Sequence, residues 1–240
     1  MEKLLSGTRK LGIELTPGQL KQFELYYQEL TDWNRRMNLT SITGYEDVQI
    51  KHFLDALTVT TIFRTIEQWH DLSVIDIGTG AGFPGVPVKI ILPGIRLVLL
   101  EATRKKAKFL HNLVNRLGLG DVEIKVGRAE EIAHENGYRE RFDIALSRAV
   151  AALAALAELS LPFCKLGGIF IAQKKGNISA EVEQSQKAID LLGGYLREVK
   201  QIELDELPDG HCLVIIEKVN HVSPEYPRRP GIPVKKPLGN

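Results

Sequence analysis

The stretch Asp76-Ile77-Gly78-Thr79-Gly80-Ala81-Gly82-Phe83-Pro84-Gly85 sets a carboxylate in an apolar run and then breaks into a glycine loop. The β-branched residues of 74–77 favour a buried strand. The glycines let the backbone turn sharply and approach a ligand where a Cβ would collide. In α/β proteins a strand, such a loop and a following helix bind nucleotide-like cofactors. Residues 80–85 match the dinucleotide fingerprint G-x-G-x-x-G literally, but three details point elsewhere. Asp76 would repel a pyrophosphate. The run Gly78, Gly80, Gly82 is one glycine richer than that loop needs. Pro84 and Pro87, in the first turn of the expected helix, remove N–H donors that a phosphate would use. A phosphate-free cofactor fits better. S-adenosylmethionine carries a cationic sulfonium and an α-ammonium, which Asp76 can attract directly or through water.

The neighbouring strand ends give this site a rim. Leu99-Leu100-Glu101 ends a strand on a carboxylate that can accept both ribose hydroxyls. Its competing role is an ion pair with Arg104 or Lys105. Gly127-Arg128-Ala129-Glu130 offers a small residue and an acid to flank an adenine and bind its amino group. Glu130 could instead simply favour the next helix N-terminus. Arg148, after Asp143-Ile144-Ala145-Leu146-Ser147, reaches the same cleft to order the methionine end of the cofactor or an RNA backbone. Its alternative is an ion pair with Asp143 or a neighbouring acid. The Asn/Asp-Pro-Pro-aromatic run of exocyclic-amine methyltransferases is missing at this edge, and no Cys, Ser-His or metal constellation stands out.

Strands and helices alternate around these residues. Strands are expected at 73–77, 96–101, 121–126, 142–147 and 167–173, with helices at 84–92, 103–117, 129–136 and 151–161 between them. This rhythm predicts a parallel sheet covered on both faces. A helix at 179–192, strands at 195–204 and 211–219 and the turn Leu207-Pro208-Asp209-Gly210 then predict an antiparallel hairpin at one edge. Upstream, Thr16-Pro17-Gly18-Gln19 reads as a capped helix start. Leu20, Phe23, Tyr27, Leu30 and Trp33 continue it as one apolar stripe. With a second helix over 46–63, residues 1–70 are expected to form a helical cap on a core of 71–219. The tail, 220–240, is rich in proline and basic residues and is expected to be extended rather than helical.

Composition bounds the partners. The 240 residues carry a net charge of +1, so any nucleic-acid surface must be a local patch. Candidates are Arg35, Arg36, Asn38, Lys51, His52, Lys175, Arg228, Arg229, Lys235 and Lys236. Arg104, Lys105, Lys106 and Lys108 read instead as a solvated helix face. His52 and Asp55 share one side of a helix as a packing or capping pair. Cys164 and Cys212 read as reduced core thiols. There is no apolar run of membrane-spanning length and no signal-peptide core, so a cytoplasmic protein is expected, monomeric by default.

Trp33-Asn34, Asn38-Leu39-Thr40, His52-Phe53-Leu54-Asp55, the loop from Asp76 to Gly85, Ser147-Arg148-Ala149 and Arg229-Pro230-Gly231-Ile232-Pro233 occur together. With this combination the chain resembles the bacterial small-subunit rRNA guanine-N7 methyltransferase G family, also called glucose-inhibited division protein B. The resemblance runs from residue 16 to the tail, with Ala56 where serine is common. It implies the class I S-adenosylmethionine-dependent methyltransferase fold, with seven mostly parallel strands. It also implies a guanine of 16S rRNA, in the small subunit or an assembly intermediate, as substrate. Cofactor contacts are implied at Gly78, Phe83, Ala129, Glu130 and Arg148, with Glu101 as the ribose acid; the loop reading adds Asp76 and Gly80. Guanine N7 carries an in-plane lone pair, so transfer needs positioning rather than a base. No catalytic residue is assigned beyond a possible role for Arg148. Loss of residues 221–240 is expected to impair RNA methylation more than cofactor binding. A nicotinamide-dependent oxidoreductase and a non-catalytic ribosome-assembly factor are the alternatives.

Overall fold

The computed structural model describes residues 1–62, 66–148, 151–207 and 210–239. Short β-branched runs give β1 (Ser73–Ile77), β2 (Arg96–Glu101), β3 (Val122–Val126), β4 (Phe142–Ser147), β5 (Cys164–Lys175), β6 (Gly194–Gln201) and β7 (His211–Lys218). They form one sheet in the order β3-β2-β1-β4-β5-β7-β6. β1 to β5 pair in parallel, whereas β7 runs antiparallel to both β5 and β6. This is the mostly parallel α/β sheet with an antiparallel C-terminal hairpin that the alternation predicted. Pro208 and Asp209 of the expected turn lie outside the described residues, as does Ala149.

Helices cover both faces: α1 (Glu2–Lys10), α2 (Pro17–Met37), α3 (Tyr45–Val48), α4 (Asp55–Leu57), α5 (Gly85–Ile91), α6 (Arg104–Leu117), α7 (Ala129–Ile132), α8 (Leu153–Ser160), α9 (Ser179–Leu191) and α10 (Ile232–Lys235). Successive strand residues point to opposite faces. Val74 accordingly packs with α2, α5 and α6, and Ile75 and Ile77 pack with α8 and α9. The strand order reverses between β1 and β4, which opens a crevice at their carboxyl ends.

α2 begins as its sequence signals. Thr16 accepts from the Gln19 amide at 3.2 Å, and the Gln19 side chain accepts from the Thr16 amide at 2.9 Å. Several elements differ from expectation. α1 precedes the first expected helix and packs on the π-helical turn. The single helix expected over 46–63 is α3, a π-helical turn at Gln49–Leu54, α4 and a 3-10 turn at Thr58–Ile62, and Phe63 lies outside the described residues. β5 extends three residues further upstream than expected, to Cys164, past a register shift against β4. α7 ends at Ile132, where the chain tightens into i to i−3 bonds such as His134 N–H to Glu131 O.

The tail is the largest correction. It contains the one-turn helix α10, which tolerates Pro233 because proline fits a first helical turn. It is also pinned to the core. Arg139 donates to the carbonyls of Val222, Ser223 and Tyr226 at 2.9–3.1 Å. His134 Nε2 lies 2.9 Å from the Pro227 carbonyl. Arg228, expected to reach RNA, instead forks onto Glu158 of α8 at 2.6–3.2 Å. The Glu158 side chain has no exposed surface, and an ionised carboxylate there requires a counter-charge. Arg228 is therefore the tail's anchor.

Replacing Arg228 by Ala should strand that buried carboxylate and cost about 3 kcal/mol in urea unfolding. Adding Glu158→Gln to the same variant should recover part of the loss. Equal stability of Arg228→Ala and the parent would exclude the anchor.

Candidate active site

The glycine loop takes its shape from two buried carboxylates. Asp76 leaves β1 toward α5 with no exposed surface. Its Oδ2 accepts from Thr79 Oγ1 at 2.6 Å and from the Gly85 amide at 2.8 Å, closing the loop across its base. A Cβ on Gly85 would lie 2.9 Å from that same oxygen. One on Gly82 would lie 2.7 Å from the hydroxyl of Tyr26, which donates to the Ala81 carbonyl at 2.5 Å. By contrast, Gly78 and Gly80 are both at positive φ; Gly78 has open space beside it, and a Cβ on Gly80 would meet only the Gly78 carbonyl oxygen, at 3.9 Å. Burial pushes the Asp76 carboxyl up to about 6. Asp76 thus lies at the base of the loop with no exposed surface, and its Oδ1 has no hydrogen-bond partner among the described residues.

The second carboxylate, Glu101, ends β2. Its Oε2 accepts from the Gly80 amide at 3.0 Å and its Oε1 from the Thr103 amide at 2.7 Å. No ion pair joins it to Arg104 or Lys105 among the described residues. Each oxygen keeps lone-pair capacity for a further donor. The first turn of α5 offers a phosphate nothing. Gly85 N–H is held by Asp76, Val86 N–H by the Gly82 carbonyl at 2.8 Å, and Pro87 has none.

On the far rim Ala129 opens α7, and Glu130 accepts from the Gly231 amide of the tail at 2.8 Å. Across the crevice, Arg148 leaves β4 with its guanidinium 4.8 Å above the Phe83 ring. It donates to Asp55 Oδ2 at 3.0 Å, to the Lys51 carbonyl at 3.3 Å and toward His52 Nδ1 at 3.2 Å. Its acid is therefore Asp55, not Asp143, which binds Ser73 and Lys165. His52 stacks on Phe83 with centroids 4.5 Å apart, Phe83 stacks on Tyr26 at 5.2 Å, and His52 Nε2 meets Thr40 Oγ1 at 2.8 Å. Burial, then the Arg148 charge, lowers the His52 imidazole to about 4, so it is neutral near pH 7.

Two members of this cluster were not found in the sequence. His211 at the start of β7 places Nδ1 2.7 Å from Asp55 Oδ1. Gln173 of β5 donates to the Asp55 carbonyl at 2.6 Å. Burial opposes ionisation of Asp55, yet the His211 hydrogen bond and the Arg148 charge hold its pKa below the ordinary value. Strand pairing brings Gln173 and His211 to Asp55, with Lys175 of β5 opposite His211 of β7. Neither residue has a local pattern of its own.

The remaining candidates spread around the crevice. Asn38 caps α2 in the left-handed region and is exposed, as are Arg35, Arg36, Lys175, Arg229 and Lys235. Lys51 pairs with Asp47 at 2.8 Å. His52 is buried in the ring stack. Cys164 and Cys212 are buried free thiols, and the described residues hold no group of side chains able to bind a metal ion.

Comparison with known proteins adds a second line of findings. Residues 19–207 match the family model described as rRNA small subunit methyltransferase G. A Dehalococcoides mccartyi protein named ribosomal RNA small subunit methyltransferase G is 50% identical over 238 residues, covering 99% of this chain and all of its own length. One of the same name from Lachnoclostridium phytofermentans is 44% identical, covering 98% of this chain and 96% of its own. Among solved structures, MtNAS in complex with MTA and tNA superposes with a TM-score of 0.56 at 14% identity, covering 83% of this chain and 71% of that one. M. jannaschii TYW2 in complex with AdoMet gives 0.51 at 15%, covering 62% and 70%. At such identities these two likenesses concern the fold alone.

Asp76 and His52 titrate in opposing senses. Asp76 shifts from 3.8 up to about 6, so the folded protein keeps a proton the unfolded chain releases, and stability falls as pH rises through that window. His52 shifts from 6.5 down to about 4, so its contribution is lost as pH falls through that window. Relative to the parent, Asp76→Asn should gain stability from about pH 4 to pH 7, and His52→Gln should gain in the reverse direction. Thermal melts across that range check both, and parallel curves for all three proteins would refute the assignment.

Proposed function

The chain belongs to the rRNA small subunit methyltransferase G family, S-adenosylmethionine-dependent enzymes acting on small-subunit rRNA, and we propose that it methylates N7 of a guanine there. The observation that best supports this site reading is the donor inventory of the loop. The α5 N-terminus has no N–H for a phosphate, while a carboxylate with free lone pairs ends β2. That combination suits a ribose-bearing, phosphate-free ligand. The residues present fit S-adenosylmethionine: Gly78 leaves open space, Gly80 has no close neighbour, Glu101 can accept the ribose hydroxyls, and Ala129 with Glu130 can flank the adenine. Phe83 and Arg148 complete its binding set, and Asp76 contributes by shaping the loop. Bound there, S-adenosylmethionine supplies an electrophilic methyl group.

The protein's part is orientation. Guanine N7 has a lone pair in the ring plane and loses no proton before attack, so no general base is required. Well-aligned reactants gain large rate factors from positioning alone. The stack of Tyr26, Phe83 and His52 fixes the crevice wall, and Arg148, held by Asp55, braces that wall against the sheet edge. A neutral His52 adds no cation beside a purine that becomes positively charged on methylation.

Around the crevice, Arg35, Arg36, Asn38, Lys175, Arg229 and Lys235 are placed to meet RNA. Residues 1–70 act as a cap on the cofactor-binding core of 71–219. No helix among the described residues is long and apolar enough to cross a membrane. We further infer that the enzyme works in the cytoplasm as a monomer, on the small subunit or an intermediate of its assembly. The nicotinamide and non-catalytic alternatives are not favoured by relatives named as methyltransferases.

Small subunits from a strain lacking the gene, incubated with methyl-labelled S-adenosylmethionine and the protein, should acquire label at one guanine. Nucleotide mapping should find it at N7, and label on another base or atom would refute this reading. Glu101→Ala should weaken S-adenosylmethionine binding about tenfold or more by calorimetry, since a charge-assisted hydrogen bond contributes about 1.5–3 kcal/mol. Arg148→Ala should lower cofactor affinity or turnover.

A further inference from the structure

α6 is charged in one sense only. It carries Arg104, Lys105, Lys106, Lys108 and Arg116 and no acidic residue. Burial of Ala107, Phe109, Leu110, Leu113, Val114 and Leu117 fixes its rotation, leaving Arg104, Lys105 and Lys108 exposed. Arg116 pairs with Glu29 at 3.0 Å. The other four cations have no carboxylate partner among the described residues.

The arrangement is unfavourable within the fold. Cations in a first helical turn face the positive end of the peptide dipoles. Arg104 and Lys108, four residues apart, repel each other. Among the described residues no carboxylate offsets either effect, so these exposed cations are balanced by water alone and stay open to an anion from outside.

Packing then adds a second group of cations. Gln22 of α2 donates to the Leu117 carbonyl at 2.8 Å, Glu29 accepts from Asn112 at 2.6 Å, and Trp33 meets Phe109 edge-on with centroids 5.7 Å apart. As residue numbers rise along α2 they fall along α6, so the helices are antiparallel. The last turn of α2, with exposed Arg35 and Arg36, therefore lies beside the first turn of α6. Arg35 has only an exposed contact with Asp32, at 3.5 Å. The ridge so formed adjoins the crevice through Thr103, the N-cap of α6, whose amide binds Glu101.

We propose that this ridge, with Arg104, Lys105 and Lys108 of α6 beside Arg35 and Arg36 of α2, holds the phosphodiester backbone of the RNA whose base enters the crevice. The inference rests on the substrate reading above and assigns a surface to it. A row of cations beside the cofactor rim can fix the register of the strand, because phosphate contacts position a nucleic acid without reading its sequence. It also gives a purpose to three of the four cations that the sequence alone left as a solvated face. A chain with net charge +1 can thus bind a polyanion through one concentrated patch.

The test compares the full-length triple variant Arg104→Ala, Lys105→Ala, Lys108→Ala with a control of equal charge change, Lys3→Ala, Lys187→Ala, Arg197→Ala. Affinity for unmethylated small subunits is measured across a salt series, together with S-adenosylmethionine affinity. The ridge variant should flatten the slope of log Kd against log salt by about 2, from about 0.7 per lost phosphate contact. It should weaken RNA binding at least about tenfold at low salt and leave cofactor affinity unchanged. A slope equal to that of the control, with methylation intact, would overturn the ridge and leave the substrate reading standing. A parent protein that neither binds nor methylates small subunits would overturn both.

Discussion

The Asp76 carboxylate is the constraint on which the rest of the site depends. It lies beneath the glycine loop without exposure and holds Thr79 and Gly85 on one oxygen, so the chain must double back between them. The loop can fold so tightly only because Gly82 and Gly85 present no Cβ to Tyr26 or to Asp76 itself. Closing the base aims the Gly80 amide outward at Glu101, and that bond ties β1's loop to the end of β2. One buried acid thus sets the spacing of the cofactor cradle. The site tolerates the desolvation of that acid, visible as a pKa near 6, because two hydrogen bonds return part of the cost.

A second buried acid, Asp55, does for the opposite wall what Asp76 does for the loop. Its two oxygens bind His211 of β7 and Arg148 just after β4, so elements far apart in sequence meet on one carboxylate. Arg148 also donates to the Lys51 carbonyl in the π-helical turn, a rare helix form that occurs often at functional sites. The irregular helix and the arginine therefore stabilise each other. The π-helical turn and α4 are joined to the sheet by a charged network rather than by apolar packing alone. Such networks favour one arrangement strongly, because leaving any member unpaired in a buried setting is costly.

The sheet and the loop were legible because their signals are local. Val74 to Ile77, the glycine spacing and the Thr16 capping box each act within a few residues. The cofactor class followed from the same short stretch, through Asp76 and the two prolines. What escaped the sequence was non-local. His211 and Gln173 acquire their roles only when β5 and β7 pair beside α4. Arg228 looked like one more surface cation until the fold brought it to Glu158, on a helix that periodicity marks as apolar. The π-helical turn escaped because hydrophobic spacing over six residues cannot distinguish it from an α-helix. The substrate lies furthest from local physics, and flanking segments identified it through family likeness.

The tail shows how a nearly neutral chain sorts its cations. Arg228 and Arg229 are adjacent in sequence, yet the first is held by a fully buried carboxylate and the second stands in solvent. Two residues later the Gly231 amide binds Glu130, so the same short segment is fastened to α8 and to α7. Fastening at both points leaves Arg229 and Lys235 on the outer surface of a segment whose path is fixed. Proline adds to this by limiting the freedom the segment has to lose. Charge that looks uniform in the sequence thus divides in the fold. Some of it compensates buried acids and holds the crevice in shape, and the remainder faces outward where a polyanion can reach it.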